Sequence, residues 1–197
     1  MTTPTTAAAP KGTTATRPRD DHAGYQAELK KLSELIKDIR FAMLTTTAPD
    51  GSLRSRPMAT QQVEFDGDLW FFAGRDSEKA TDIVRSPAVN VAFADGRDNR
   101  YVSLAGNARL VEDAARAKAL WSPLYQAWFP DGLDDPNLAL LKVEVTGAEY
   151  WDAPSNKMVL LLGMAKAVAT GKEYEGGENR EVDLRREPAG GSERATR

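Results

Sequence analysis

The stretch LRSRPMATQQ, residues 53–62, lies between two apolar segments and predicts the returning strand of a β-hairpin. The preceding FAMLTTT (41–47) is a short β-rich run, and APDGS (48–52) is a turn signal. Because Pro57 cannot donate a hydrogen bond to a neighbouring strand, we expect it at an edge or a bulge. Side-chain alternation divides the strand into two faces, with Arg54, Arg56, Met58 and Thr60 on one and Ser55, Pro57, Ala59 and Gln61 on the other.

The position of Arg56 directly before Pro57 is the first functional signal in this strand. A residue that precedes proline is held extended, which fixes the direction in which its side chain points. A rigidly placed guanidinium suits the planar, bidentate capture of a phosphate. Arg56 is therefore a candidate phosphate ligand, and a solvated strand face is the alternative that this stretch alone leaves open.

The segment LWFFAGRDSEKA, residues 69–80, carries a second signal, because an apolar strand leads directly into a helix start. Gly74 allows the chain to turn from the strand into the helix. Ser77 supplies a hydroxyl, and the first helical amides are free to bind an anion. Lys79 adds a cation in the first turn, where acidic residues are the usual choice. Such a local rule violation is expected at functional sites, so the segment predicts a phosphate site. An ordinary helix cap with one exposed lysine is the alternative.

The remaining apolar patterns indicate a mainly β chain with peripheral helices. Short connections join most strands, and helices do not alternate regularly with them, which favours an antiparallel barrel over a doubly wound sheet. The further strands are expected at LWFFAG (69–74), AVNVAFA (88–94), RYVSLAGNARLV (100–111) and LALLKVEVTGAEYWD (138–152). Helices are expected at 25–40, 76–86, 112–121 and, as PSNKMVLLLGMAKAVA, at 154–169.

Composition divides the 197 residues into one folded domain and two tails. Residues 1–22 are rich in Thr, Ala and Pro, and residues 172–197 are charged and Gly-rich, so both are predicted to be disordered. Residues 23–171 form the predicted domain, and 41% hydrophobic residues suffice for a core. The N-terminal sequence resembles no secretory signal and no run is long enough to span a membrane, so we expect a cytoplasmic protein.

Missing residue types exclude several kinds of site. The chain has no cysteine, and its one histidine, His22, lies in the polar N-terminal region. We therefore expect no disulfide, no cysteine nucleophile, no Ser-His-Asp relay and no thiolate or His-rich metal site. A net charge of −3 gives no reason to expect nucleic acid or an anionic membrane as a partner.

The order and spacing of RPMATQQ, DGDLWFFAGRDSEKATDI, SPAVNVAFA, RYVSLAGNARLV and EYWD resemble the FMN-binding split-barrel family typified by pyridoxamine 5′-phosphate oxidase. The resemblance covers residues 30–160 and is closer to the general stress protein branch. It implies a six-stranded antiparallel split β-barrel, FMN as cofactor, and a homodimer with flavin in the groove between subunits. FAD and the deazaflavin F420 remain alternative ligands, whereas haem would lack its common axial ligands.

The resemblance also implies a role for individual residues. Arg56 takes the place of the arginine that binds the FMN phosphate, and Ser77 and Lys79 keep the phosphate-binding chemistry of the helix start. Tyr101 aligns with a residue at the pyrimidine edge of the flavin, and Trp151 matches a tryptophan that the partner subunit contributes. The remaining implied cofactor contacts are Pro57, Met58, Ala59, Thr60 and Gln61 on the strand, largely through backbone groups, and Phe72 and Ala73.

Departures from the oxidase pattern limit the functional prediction. Gln61 replaces a lysine that contacts the substrate phosphate, Glu78 replaces an arginine, and no Arg–His pair follows Trp151. Vitamin B6 oxidation is therefore not expected. An FMN-dependent oxidoreductase acting by hydride transfer is one hypothesis, and a non-catalytic flavin sensor, store or carrier is the other. Trp128 and Phe129 are expected at the pocket wall or the dimer seam, with core packing as the alternative.

Overall fold

An antiparallel sheet of seven strands forms the centre of the computed structural model, which describes residues 22–61, 63–152, 166, 170–171 and 178–185. The elements are α1 (His22–Ile36), β1 (Phe41–Thr47), β2 (Leu53–Ala59), β3 (Asp68–Gly74), α2 (Glu78–Arg85), β4 (Ala88–Asp95), β5 (Arg100–Val111), α3 (Ala114–Leu120), β6 (Leu138–Asp152) and β7 (Glu178–Asp183). Two short 3-10 helices, Pro123–Ala127 and Gly132–Asp134, connect α3 to β6. None of the described helices has the length and apolar character needed to cross a membrane.

The strand order is β2-β1-β4-β5-β6-β3, and every neighbouring pair is antiparallel. The long strand β6 pairs with β3 along residues 138–144 and with β7 along residues 147–152. Within the described residues the sheet is open between β2 and β3. The predicted mainly β fold with peripheral helices is confirmed, with seven strands where six were predicted. Pro57 is confirmed on an edge strand, since β1 is the one described strand that pairs with β2.

Strand β7 corrects the prediction that residues 172–197 are a disordered tail. Residues 178–183 pair with the end of β6, and Val182 and Leu184 are buried. The Tyr150 hydroxyl donates a hydrogen bond of 2.8 Å to Glu178, and burial together with this carboxylate raises the pKa of Tyr150 to about 12. Two apolar residues in a charged sequence give no strand signal by themselves, because the pairing depends on β6. The helix expected at 154–169 lies outside the described residues except for Lys166.

The inner face of the sheet packs against α1 and forms the main core. Helix α1 contributes Leu29, Leu32, Leu35 and Ile36, at the helical spacing expected from the sequence. Leu44, Val91, Val102, Leu104 and Tyr150 meet them from the strands. Register places these strand residues on one face, so the alternate residues of β1, β4, β5 and the end of β6 point to the opposite, outer face.

Strand β3 separates this main core from a second, smaller cluster. Phe71 points into the main core, whereas its neighbour Phe72 points into the second cluster. The second cluster is completed by Leu120, Phe129, Leu138 and Leu140, with Trp121 and Tyr125 packed against it. Alternation along β3 thus explains why an entirely apolar strand segment has little exposed surface.

Candidate functional site

A buried polar network joins β1, β2 and α2 on the inner side of the sheet. Arg56 lies opposite the buried Leu44, and its Nη1 donates a hydrogen bond of 2.8 Å to Thr46 Oγ1. Arg56 Nη2 lies 3.2 Å from Asp82 Oδ2, and the Thr46 hydroxyl donates to the same carboxylate oxygen at 2.8 Å. The three side chains therefore close a ring of hydrogen bonds that fixes the Arg56 guanidinium at the sheet edge.

Thr46 and Asp82 are functional candidates that sequence reasoning missed. Among the described residues they are the polar ones that are fully buried. A buried carboxylate is strongly unfavourable unless a cation and hydrogen bonds satisfy it, and Arg56 and Thr46 do so here. The available signal was an aspartate on the apolar face of α2, between the buried Ala80 and Ile83.

Glu78 contacts the Arg56 guanidinium from the solvent side. Its Oε2 lies 3.5 Å from Arg56 Nη2 and 3.3 Å from Arg54 Nη1, so one oxygen bridges two guanidinium groups. Glu78 and Asp82 are one helical turn apart and share a face of α2. Their environments differ greatly, since the Glu78 side chain is 76% exposed and that of Asp82 is buried.

Lys79 brings a further cation to the start of α2. Its ammonium group is half-buried, and burial lowers its pKa, helped by the positive charge of Arg56 and opposed by Asp76. Among the residues that the structure describes, Lys79 has no hydrogen-bond or salt-bridge partner for this group. A partly desolvated cation beside a second cation is stabilised by a bound anion.

Backbone amides complete the donor set at this helix start. Ser77 is the extended N-cap, but its hydroxyl donates to the carbonyl of Gly74 at 2.6 Å and does not cap the helix. The amides of Glu78 and Lys79 have no acceptor within the described part of the chain. Two free amides, the Lys79 ammonium and the neighbouring Arg56 are the donors that a phosphate monoester requires, so these residues fit an FMN phosphate.

Other predicted site residues of β2 and β3 are held by the two hydrophobic clusters. Met58 and Ala73 are buried in the main core, and Phe72 lies in the second cluster, 4.7 Å from the ring centre of Tyr125. Gln61 Nε2 donates to the Tyr125 hydroxyl at 2.9 Å, which ties the end of this segment to the aromatic cluster. Ala59 and Thr60 are partly exposed, and the Thr60 hydroxyl donates to the carbonyl of Ile39.

Tyr101 and Trp151 lie elsewhere, on the outer face of the sheet. They are directly opposite each other on β5 and β6, with 42% and 39% of their surface exposed. Phe41 and Met43 on β1 share this face and are also exposed. We call these four residues the outer aromatic face. Because the Arg56 side chain lies on the inner face, one chain does not bring Tyr101 and Trp151 to the phosphate donors.

Trp128 and Phe129, predicted at the pocket wall or the dimer seam, lie in different environments. Phe129 is buried in the second cluster, as in the core-packing alternative, whereas Trp128 remains exposed next to it. The 3-10 helix before Trp128 supplies Tyr125, which contacts Gln61 and Phe72. The segment therefore supports the end of β2 from the side and leaves one indole on the surface.

Comparisons with known proteins give a consistent result. A family model described as pyridoxamine 5′-phosphate oxidase like matches residues 27–175. General stress protein 26 of Bacillus subtilis (strain 168) is 34% identical over 96 residues, which are 46% of this chain and 68% of that protein.

Two crystal structures extend the similarity to the fold. The general stress FMN/FAD binding protein from Xanthomonas citri superimposes with a TM-score of 0.56 at 31% identity, covering 64% of this chain and 89% of that chain. A structure assigned to general stress protein 26 of Jannaschia sp. CCS1 gives a TM-score of 0.65 at 26% identity, covering 80% of this chain and 99% of that chain.

Proposed function

The chain belongs to the pyridoxamine 5′-phosphate oxidase-like family, and we propose that it is an FMN-binding flavoprotein of the general stress type. The observation that carries the proposal is Lys79, a half-buried cation beside Arg56 whose ammonium group makes no hydrogen bond or salt bridge among the described residues, since Asp76 acts on it only from beyond salt-bridge distance. The phosphate of FMN would supply that partner. The match to the Xanthomonas citri protein, whose name includes FMN/FAD binding, supports a flavin as the ligand.

In this proposal the phosphate is held at the start of α2 by Arg56, Lys79 and the free amides of residues 78–79. Ser77 would join them by turning its hydroxyl from the Gly74 carbonyl to the phosphate. The backbone of residues 58–60 and 72–73 would border the flavin ring, since Met58, Phe72 and Ala73 turn their side chains into the clusters. When bound, FMN supplies the redox chemistry of hydride transfer, and the protein supplies binding and orientation. FAD and F420 also carry phosphate and are the competing ligands.

We further propose that two chains associate through the outer aromatic face. Exposed aromatic and apolar side chains on one contiguous face are typical of an interaction surface. Tyr101 and Trp151 lie on the face opposite Arg56. In the proposed dimer, these two residues of one chain would border the flavin bound by the other chain. The proposed assembly is therefore a homodimer with flavin in the groove between the subunits.

The environment of Gln61 is relevant to whether the protein catalyses a reaction with its bound flavin. Its amide is engaged with the Tyr125 hydroxyl, where the family resemblance places a lysine that contacts the oxidase substrate. We propose that the chain is an FMN-dependent oxidoreductase that acts on a small molecule other than the oxidase substrate. The same observation on Gln61 supports a second candidate function, a non-catalytic flavin carrier. Turnover assays with reduced nicotinamides and oxygen on the FMN-loaded protein distinguish the two, because a carrier binds FMN without multiple turnovers.

The experiment that tests flavin binding is the visible absorbance spectrum of purified protein, followed by titration with FMN, FAD and F420. We expect a flavin band or tight FMN binding, and Arg56→Ala should weaken it strongly. Arg56 also completes the buried network, so a thermal melt of the variant must show that it remains folded. Absence of binding by every flavin would contradict the proposal.

A further inference from the structure

One carboxylate oxygen of Glu78 occupies the point between two guanidinium groups, 3.3 Å from Arg54 and 3.5 Å from Arg56. An anionic phosphate oxygen would make the same kind of contact with a pair of arginines. Glu78 is also the first residue of α2, immediately before Lys79. The carboxylate therefore lies where the proposed ligand would place its charge.

The local charges balance before any ligand arrives. Arg54, Arg56 and Lys79 contribute three positive charges, and Asp76, Glu78 and Asp82 contribute three negative charges. A phosphate monoester that carries about two negative charges must therefore displace one of these carboxylates from its cations in order to bind. Asp82 is buried and doubly hydrogen-bonded, so it remains in place, whereas the exposed Glu78 side chain can rotate into solvent.

We propose that Glu78 is a built-in competitor of the phosphate, which occupies Arg54 and Arg56 in the free protein and lowers the affinity for phosphate-bearing ligands. This inference rests on the proposed phosphate site at Arg56 and Lys79 and assigns that site its affinity-setting residue. Because ion pairs of exposed side chains are weak, displacing Glu78 is feasible, and its effect on affinity is moderate.

The test is Glu78→Gln, which removes the charge and keeps the size of the side chain. The matched control is Glu34→Gln, because the Glu34 side chain is 57% exposed and pairs with Lys37 at 2.6 Å on α1, with no contact to Arg54, Arg56 or Lys79 among the described residues. Dissociation constants for FMN and for riboflavin, which lacks the phosphate, are measured for the full chain at low and high salt. We expect Glu78→Gln to bind FMN roughly threefold to tenfold tighter at low salt, with riboflavin affinity unchanged.

High salt should reduce this gain, since screening weakens the interactions of exposed charges. Unchanged or weaker FMN binding by Glu78→Gln would overturn the inference, as would an equal gain for riboflavin. If Glu78 only stabilises the start of α2, the variant will melt at a lower temperature with no change in the ratio of the two affinities, which also overturns it.

The ratio of the riboflavin and FMN dissociation constants of the wild-type protein distinguishes a failure of the phosphate site from a failure of the role of Glu78. A wild-type protein that binds FMN no tighter than riboflavin would contradict the phosphate site, and the role of Glu78 with it. A wild-type protein that strongly prefers FMN, combined with the same preference in Glu78→Gln, would overturn the role of Glu78 alone. Competition by inorganic phosphate gives a second readout, since the inhibition constant of phosphate should fall in the variant by about the same factor as the FMN dissociation constant.

Discussion

The two faces of the sheet at the β1–β2 hairpin differ in whether their side chains find partners within the same chain. On the inner face, the charged Arg56 is matched by Thr46 and Asp82 from the same chain, and the ring of hydrogen bonds is complete. On the outer face, Phe41 and Tyr101 leave 61% and 42% of their surface exposed, with neighbouring apolar residues. Polar groups buried within one chain need an internal partner, whereas exposed aromatic residues on one face are typical of an interaction surface.

The same contrast is repeated on a smaller scale between the two carboxylates of α2. Asp82 and Glu78 both contact Arg56, yet only Asp82 is shielded from water. Removing a buried partner leaves an uncompensated charge, whereas removing an exposed one costs little. Stability should therefore depend on Asp82, and ligand affinity on Glu78.

The largest expected effect comes from breaking the inner network with Asp82→Ala. The substitution leaves the Arg56 charge and the Thr46 hydroxyl without their shared acceptor, so we expect a loss of about 3–5 kcal/mol in the free energy of unfolding. Urea denaturation measures this change. The control Glu112→Ala removes an exposed carboxylate and should stay within about 0.5 kcal/mol of wild type. A loss below about 1 kcal/mol for Asp82→Ala would show that the network does not stabilise the fold.

The next effect concerns the outer aromatic face. Phe41→Asp places a charge on this face, and burying one such apolar side chain contributes about 1.5–3 kcal/mol, so the proposed dimer should dissociate to monomers. Sedimentation velocity measures the oligomeric state. Leu124→Asp is the matched control, because Leu124 is an exposed apolar residue outside this face and its replacement should leave the dimer intact. A wild-type monomer, or equal behaviour of both variants, would contradict the proposed interface.

The smallest effect is the pH dependence that Lys79 gives to stability. Because burial and Arg56 lower its pKa from 10.5, the unfolded chain binds this proton more tightly than the folded chain. The charged form is therefore destabilising at neutral pH, and this penalty is lost as the pH rises through the lowered pKa toward 10.5.

We expect Lys79→Met to be slightly more stable than wild type at pH 7 without ligand, with the difference shrinking near pH 10. Urea denaturation at both pH values checks this, and the exposed Lys118→Met serves as control. A variant that is less stable than wild type at pH 7 would mean that Lys79 already has a partner in the free protein.

Much of the fold and part of the site followed from local sequence signals. The hairpin of β1 and β2, the start of α2 after Ser77 and the helical spacing of α1 depend on turn chemistry and periodicity, which are encoded locally. The position of Arg56 close to Lys79 followed from the family resemblance and from two separate phosphate signals.

The remaining features depend on contacts between distant segments. Asp82 could not be paired with Arg56 in advance, because the sequence does not state which helix face meets which strand. Strand β7 depends on pairing with β6, and its charged residues resemble a disordered segment when read alone. The separation of Tyr101 from Arg56 follows from register, which places the two side chains on opposite sheet faces.

The phosphate site is tested most directly by the affinity of the wild-type chain for FMN compared with riboflavin, measured by fluorescence titration at low salt. Charge-assisted hydrogen bonds from two cations contribute about 1.5–3 kcal/mol each, so FMN should bind at least roughly 100-fold tighter. Affinities for FMN and riboflavin within about threefold of each other would contradict a phosphate site at Arg56 and Lys79.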